Sequence, residues 1–414
     1  MNAVKMRRGM VKKRRIFLLA ALLLCLLALG HAAGEEAENI TGQCHFRLCS
    51  TQRKYTTMTD GKYTTYWESN KIHQPWVAVE SEKPIHGLYL CFRKMPDSFV
   101  IQVGDGENWK TVLDGDTRFQ HTWYELDGVY HVRVLSTDEK KLNMGFNEIF
   151  VFGEGETPSW VQRWEEPEEK ADVMFVMAHP DDELLFLGGA IPTYDTEMGK
   201  RVVVAYLSWS NTTRRSEALN GLWAMGVRHY PEFGGFTDSY SSKVEQAYKK
   251  LGEDKVLAWV TELFRKYRPE VVVTHDLEGE YGHGQHKMIA DACVRCYDLA
   301  ADGEQYPESA NSWGAWQVRK LYVHLYGDEA ERTQFDWNVP LASFGGKTGL
   351  EVAIEGYAQH KTQEGKGIKI RGKFHRFSVE ETGTMYPNTS FGLYDSTVGP
   401  DETHTDFLEH IPEE

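Results

Sequence analysis

Basic charge, cysteine and long apolar runs are what this chain of 414 residues has least of. Lys and Arg number 46 against 61 Asp and Glu, a formal net charge of -15. A surface of that sign repels a phosphate backbone, which excludes nucleic-acid binding as the main task. Of six cysteines, Cys25 falls in an apolar leader, and the other five are Cys44, Cys49, Cys91, Cys293 and Cys296. An odd number cannot pair completely within one chain. Cys44 and Cys49 are placed to pair across a hairpin. Cys293-x-x-Cys296, inside a helical pattern, reads as two small core residues rather than a redox or zinc site. The longest apolar run, Ile16 to Gly30, is short of the roughly 20 residues a spanning helix prefers.

That run follows seven Lys and Arg within the first fifteen residues and ends at the small residues Ala32 and Ala33. Basic start, apolar middle and small exit predict a secretory signal peptide over residues 1–33 and a secreted protein. The alternative is a protein anchored in a membrane by an uncleaved helix. Leu24-Cys25 is not a lipoprotein box. The remaining chain, 41% hydrophobic and 26% charged over the whole sequence, can bury a large core and divides more naturally into two domains than one.

The pattern changes twice. Between residues 44 and 153, short runs such as WVAVES, HGLYLCF, SFVIQVGDG, HVRVLST and NEIFVFGEG alternate with turns, which predicts an all-β sandwich. Residues 154–170 carry prolines and a charge run and read as a linker, with Trp160 and Trp164 placed to pack one domain on the other. From residue 171 to 414 strands alternate with helices. DVMFVM, VVVAYLSWS and EVVVTHD are strands, and Arg214 to Gly226 and Lys255 to Tyr267 are helices. This predicts an α/β fold, a doubly wound, mostly parallel sheet whose ligands bind beyond the carboxyl ends of its strands.

Two segments at such ends carry the chemistry. AHPDDELLFLGG, Ala178 to Gly189, follows the first strand and sets Asp181, Asp182 and Glu183 side by side. Three adjacent carboxylates repel one another unless a cation sits among them. HDLEGEYGHGQHKMIADA, His275 to Ala292, follows a later strand with three glycines and then His283 and His286. A divalent metal held by His179, Asp182 and His286, with one position open, is the pattern of a catalytic zinc. Asp181 is then placed to take a proton from water, and His283 to stabilise an oxyanion or protonate the leaving group. Glu183 reads as a supporting carboxylate or a helix N-terminal one.

A-H-P-D-D-E after a first strand, R-x-x-E at Arg214 and Glu217, and G-H-x-x-H further on resemble the PIG-L/LmbE-like zinc-dependent N-deacetylases, from about residue 172 onward. The resemblance implies a Rossmann-like fold and removal of an N-acetyl group from an N-acetylglucosamine moiety. Matched by position, it assigns His179, Asp182 and His286 to one Zn2+ per chain, Asp181 as general base, His283 as catalytic histidine and Arg214 as substrate contact. Many relatives have an acidic residue where this chain has Gln285, so a charge relay to His283 through that position is not expected. FGGKTG and TSFGLYDSTVGPD resemble extensions that could close over the site. His324 and His360, single and without a partner motif, read as structural.

The front domain is similar to discoidin-like, galactose-binding-type sandwiches on TDGKYTTYW and NEIFVFGEG. This implies a cell-surface glycan as a partner, with Tyr63, Tyr66 and Trp67 as candidate contacts or core residues. The expected whole is a hydrolase acting on an N-acetylated amino sugar or glycan. Two other readings are a glycan-binding or adhesion protein with an inactive site, and a non-haem iron oxygenase, whose two-His, one-carboxylate triad is similar. Asp181 beside a ligand favours hydrolysis. Because every ligand-type residue lies after the linker, the chemistry is expected to need nothing from the front domain.

Overall fold

A computed structural model describes residues 34–50, 54–209, 211–370 and 372–412. The leader expected over residues 1–33 lies outside them. Among the described residues no helix is long and apolar enough to cross a membrane.

The strands of the front domain all pair antiparallel. Its strands are β1 (His45–Leu48), β2 (Trp67–Glu68), β3 (Trp76–Lys94), β4 (Phe99–Gly104), β5 (Trp109–Asp114), β6 (His121–Ser136) and β7 (Gly145–Phe152). They run in the order β2-β7-β3-β6-β4-β5, with β1 on β3. Strands β3 and β6 serve two layers. Val77 to Glu80 of β3 pair with β1 and with the later part of β6, whereas Gly87 to Cys91 pair with β7 and with the start of β6. The register breaks between Glu80 and Gly87, where the strands bend. Both halves of β3 turn apolar side chains onto one core of Val77, Val79, Leu88 and Leu90 with Val132 and Phe146. That shared core makes the fold a sandwich. Trp67 belongs to it, fully buried against Phe146, and is therefore no glycan contact. Tyr66 lies half-buried beneath the Arg93 guanidinium, 3.7 Å from its ring centre. Cys44 and Cys49 are free thiols, not a pair, and the Cys44 thiol donates to the Ile40 carbonyl instead.

The rear sheet is built on β8 (Val173–Met177), β9 (Val202–Ser208), β10 (Glu232–Phe236), β11 (Val271–Thr274) and β12 (Lys320–His324). These five are parallel, in the order β10-β9-β8-β11-β12. Beyond the short β13 (Thr333–Gln334) and the hairpin β14 (Gly367–Ile370) and β15 (Lys373–Arg376), the last strand β16 (Ser390–Ser396) joins β12 antiparallel and carries β13 on its far side. Every residue of β8, β9, β11 and β12 is buried, because helices cover both faces. The side chains alternate accordingly. Val173, Phe175 and Met177 enter one core with Val204 and Val273, while Met174 and Val176 enter the other with Val203 and Val272.

On the first face lie helices α1 (Asp182–Leu187) and α2 (Thr212–Ala224), on the second α3 (Val244–Leu251), α4 (Glu253–Tyr267) and α5 (Gly284–Leu299). Cys293 and Cys296 of α5 are fully buried core residues. Three further helices follow, α6 (Pro307–Trp313), α7 (Gly349–Tyr357) and α8 (Val379–Met385). The chain leaves β8 toward one face and β11 toward the other, so a crevice opens between these neighbouring strand ends. A reversal of winding of this kind is where open α/β sheets bind ligands.

The segment over residues 154–170, expected as a linker, is a packed strap. Val161, Gln162 and Trp164 are buried. Trp160 packs on Tyr89, Phe150 and Phe152 of the front domain, and Trp164 packs on Trp223 and Tyr230 of the rear one. Beside the strap runs a buried polar chain. Gln120 Nε2 donates to Ser216 Oγ at 2.7 Å, Ser216 Oγ lies 3.1 Å from His121 Nε2, and His121 Nδ1 lies 2.7 Å from Gln162 Oε1. Ser216 is on α2, whose first turn carries Arg214. The front domain is therefore bonded to the helix that bears a candidate site residue.

This chain of bonds suits a neutral imidazole with its proton on Nδ1. Burial pushes the His121 pKa down to about 4 from an ordinary 6.5. Between those values the unfolded chain binds a proton that the folded chain refuses, so stability is complete above pH 6.5 and falls as pH drops through 4. The fall attributable to His121 is expected to be on the order of 3 kcal/mol. Denaturant titrations from pH 7 to 4 check it: His121→Gln should flatten the slope, and an unchanged slope would remove His121 as its source.

Candidate active site

The site forms where β8 and β11 end. Asp181 occupies the left-handed region, φ 102 and ψ -21, immediately before α1. Such a backbone costs on the order of 1–3 kcal/mol for a non-glycine residue and persists only where the surroundings enforce it. Here Glu183 Oε2 accepts the Asp181 amide at 2.9 Å, and the Asp181 carbonyl accepts from Leu184 and Leu185. Glu183 is fully buried, and burial raises its pKa to about 8. It thus braces the backbone and does not line the cavity. On the other side of the crevice, Gly279 has φ 65, and a Cβ there would lie 2.6 Å from the His283 carbonyl oxygen. Only glycine lets this loop fold back so that His283 and His286 meet the β8 end.

The residues singled out in the sequence come together. Asp182 Oδ2 lies 3.1 Å from His179 Nδ1 and 3.4 Å from His286 Nε2, and those two nitrogens are 3.3 Å apart. The proton inventory of the neighbours decides what these atoms are. His179 Nε2 lies 2.9 Å from the carbonyl-type oxygen of Gln285, and His286 Nδ1 lies 2.7 Å from Glu280 Oε2. A neutral ring donates there, which leaves its other nitrogen bare for a metal. Two lone pairs and a carboxylate oxygen then converge, an arrangement that repels itself unless a cation sits among them. For ligand bonds of about 2.1 Å, a tetrahedral ion separates its ligands by roughly 3.4 Å, so the triangle fits such an ion. Asp182 is drawn two ways: burial pushes its pKa up, but His286, His179 and His275 hold it well below the usual carboxylate range.

Two other groupings of possible ligands occur among the described residues, one of His179, His283 and His286 and one of Asp182, His275 and His286. His275 is a poorer donor because its Nε2 accepts the Ala178 amide at 3.1 Å and its Nδ1 lies 2.7 Å from Glu280. Glu280 is the residue that sequence reading missed. Fully buried, it is held at 2.7 Å by each of His275, His286 and His324. Burial alone would raise its pKa, but these rings hold it far below. His324, expected to lack a partner, therefore belongs to the same cluster.

Asp181 Oδ1 lies 3.1 Å from Arg214, which also pairs with Glu217 at 3.2 Å and donates to the Pro180 carbonyl. Burial raises the Asp181 pKa to about 6, against the pull of Arg214. His283 Nδ1 accepts the Gln285 amide at 3.2 Å. A neutral ring there carries its proton on Nε2. Gln285 itself serves His179 and gives no side-chain relay to His283. Asp238, also missed, stands 3.5 Å from His179 Nε2.

His179, Asp181, Asp182, Arg214, Tyr281 and His283 line a cavity of about 230 Å³, below the roughly 300–1,000 Å³ of sites for drug-sized ligands. Its cover comes from Thr362, Gln363, Lys366 and Phe377, tied down where Glu217 accepts from the Thr362 amide and hydroxyl at 2.6 and 2.7 Å. FGGKTG and TSFGLYDSTVGPD do not close over it: the first lies beside the end of α2 and the second forms β16 in the sheet. His360 is buried behind Arg214, 3.4 Å from its guanidinium.

Residues 174–297, which contain all six of the residues singled out, match the family described as PIG-L: GlcNAc-PI de-N-acetylase. The chain carries a PIG-L domain. Among curated proteins, 1D-myo-inositol 2-acetamido-2-deoxy-alpha-D-glucopyranoside deacetylase 1 of Frankia casuarinae is 26% identical over 201 residues, spanning 41% of this chain and 64% of that protein. The match thus covers less than two thirds of that relative. Of solved structures, N,N'-diacetylchitobiose deacetylase from Pyrococcus horikoshii is similar over 49% of this chain and 74% of its own, with 15% identity and a TM-score of 0.37. The family 32 CBM from C. perfringens NanJ, in complex with galactose, is similar over 28% of this chain and 97% of its own, with 12% identity and a TM-score of 0.24. The PIG-L domain supplies both strand ends of the crevice; the strap and front domain lie outside it.

Proposed function

We propose that this chain is a secreted, zinc-dependent hydrolase that removes the N-acetyl group from an N-acetylglucosamine-type amino sugar in a glycan or glycoconjugate. The observation that carries the reading is the convergence of two bare imidazole nitrogens and a carboxylate oxygen beside Asp181, in a domain whose family and curated relative are both named for deacetylation of such sugars. The basic and apolar leader supports secretion.

His179, Asp182 and His286 would hold the metal. When bound, it supplies Lewis-acid polarisation of a water and of the amide oxygen. Asp181, held by Arg214, takes the proton of the attacking water. The Nε2–H of His283 donates toward the oxygen on which charge develops. The proton taken by Asp181 then passes to the departing nitrogen, so acetate and a free amine are the products. A volume of about 230 Å³, walled mostly by polar and aromatic groups with Leu185, Tyr281 and Phe377 among them, limits entry to a small acyl group and its ring.

The test is product analysis without oxygen. Purified protein given N-acetylglucosamine conjugates under nitrogen should release acetate and amine in equal amounts. A requirement for oxygen and a reductant would favour the iron oxygenase reading, and no product from any N-acetylated sugar would favour a binding protein with an inactive site. Glu280→Gln tests the support of the metal. It leaves the ligands in place but weakens the acceptor for His286, His275 and His324, so zinc affinity is expected to fall about 10–100-fold in a competition titration with a chelator. Unchanged affinity would make Glu280 a packing residue only.

A further inference from the structure

A second cavity, of about 1020 Å³, opens between the front domain, the strap and the far end of α2. Aromatic side chains reach it from five separate segments: Tyr63 and, on β7, Phe150 of the front domain, Trp160 of the strap, Trp223 of α2 and Phe344 beyond β13. Trp160 packs on the front sheet and yet stays 42% exposed, a large apolar ring at the wall of a concave cleft. Planar polar groups stand between the rings. Asn220 accepts from Gln162 Nε2 at 2.6 Å, and Gln359 borders the opening.

The charge of the cleft indicates what it suits. Its cation, Arg228, lies flat on Trp223 at 3.8 Å and donates to the carbonyls of Trp223 and Val227. Its carboxylate, Glu355, pairs with Lys347 at 2.7 Å. Both charged groups are thus engaged by the protein. What remains is aromatic faces and amides, which suits a neutral ligand with apolar faces and hydroxyl edges rather than a phosphate or a charged peptide. A pyranose ring has this character, with C–H bonds on its faces and hydroxyls around its rim.

The cleft and the cavity at Asp181 share two elements. Arg214 and Trp223 stand nine residues apart on α2, a rise of roughly 14 Å, and Gln359 at the cleft is three residues from Thr362 at the cavity. We propose that the interdomain cleft is a second saccharide site, holding neutral sugar residues of the same glycan whose N-acetylated ring enters the cavity at Asp181. The second half of this statement rests on the function proposed above, while saccharide binding in the cleft does not.

The experiment uses full-length protein and a hexamer of N-acetylglucosamine, with binding followed by tryptophan fluorescence and calorimetry in the Asp181→Asn background so that the probe is not consumed. Trp160→Ala is expected to weaken hexamer binding about tenfold, as truncating a buried-on-binding Trp typically does, and Gln359→Ala to weaken it measurably. With Asp181 intact, both should raise KM for the hexamer and leave kcat, and all kinetics on the monosaccharide, unchanged. Trp160 also packs on the front sheet, so thermal unfolding is measured alongside. If Trp160→Ala fails to fold, Gln359→Ala and a tryptophan-fluorescence response to the hexamer decide the matter. Unchanged hexamer affinity in the folded variants, no binding of the hexamer at all, or preference for an apolar peptide over the hexamer would overturn the site. Failure of acetate release with hexamer binding intact would instead strike the proposed function and leave the cleft standing.

Discussion

Asp181→Asn is expected to slow deacetylation by about a hundredfold or more while keeping the metal and the fold, because an amide cannot take the proton of the attacking water. The substitution is conservative where it must be. The side chain keeps its shape at the φ 102 backbone, the metal-facing triangle loses no atom, and Arg214 keeps Glu217 as a partner at 3.2 Å. A loss of turnover without loss of metal therefore separates the base from the ligands. Equal zinc content and near-native turnover in this variant would remove Asp181 from the mechanism.

A larger effect is expected from the ligands. His286→Ala deletes one of three converging donors and takes from Glu280 the ring N–H that lies 2.7 Å from its carboxylate. Zinc should be lost at ordinary dialysis concentrations, and with it several kcal/mol of charge stabilisation, about a thousandfold or more in turnover. His179→Ala should behave alike. Elemental analysis after dialysis checks both, and full metal occupancy in either variant would contradict the assignment of that histidine.

The rear fold was largely legible because its strands are buried on both faces. DVMFVM, VVVAYLS and EVVVT are unbroken apolar runs, and such runs have few other homes than a parallel sheet under helices. The residues of AHPDDE and GHGQH were legible for a different reason, since adjacent carboxylates and close histidines are costly without a shared task. Glu280 gave no such signal. In HDLEGEYGHG it is one of three spaced acids, Asp276, Glu278 and Glu280, and only the turn at Gly279 decides which of them enters the cluster. Asp238 follows a short strand, EFGGF, with no histidine near it in sequence. His324 met its partner only through the pairing of β11 with β12.

In the strap, Trp160 and Trp164 pack on the two domains as their spacing suggests, but the burial of the residues between them has no local signal. Prolines and charges mark chain that cannot continue a helix or a strand, but they do not say whether its apolar residues find a surface. Here Val161 and Trp164 do, and Gln162 is buried with them because His121 and Asn220 satisfy its amide. FGGKTG and TSFGLYDSTVGPD suggest a cover for the site only through their resemblance, whereas Glu217 anchors a different segment, at Thr362. Such anchors join residues far apart in sequence and leave no local pattern.

The most direct test of the whole account is reconstitution. Full-length protein stripped with a chelator and titrated with zinc should regain acetate release from an N-acetylglucosamine conjugate, reaching its limit near one equivalent per chain, and an Asp182→Ala protein should regain none. Undiminished acetate release by the stripped protein would contradict the account at its centre.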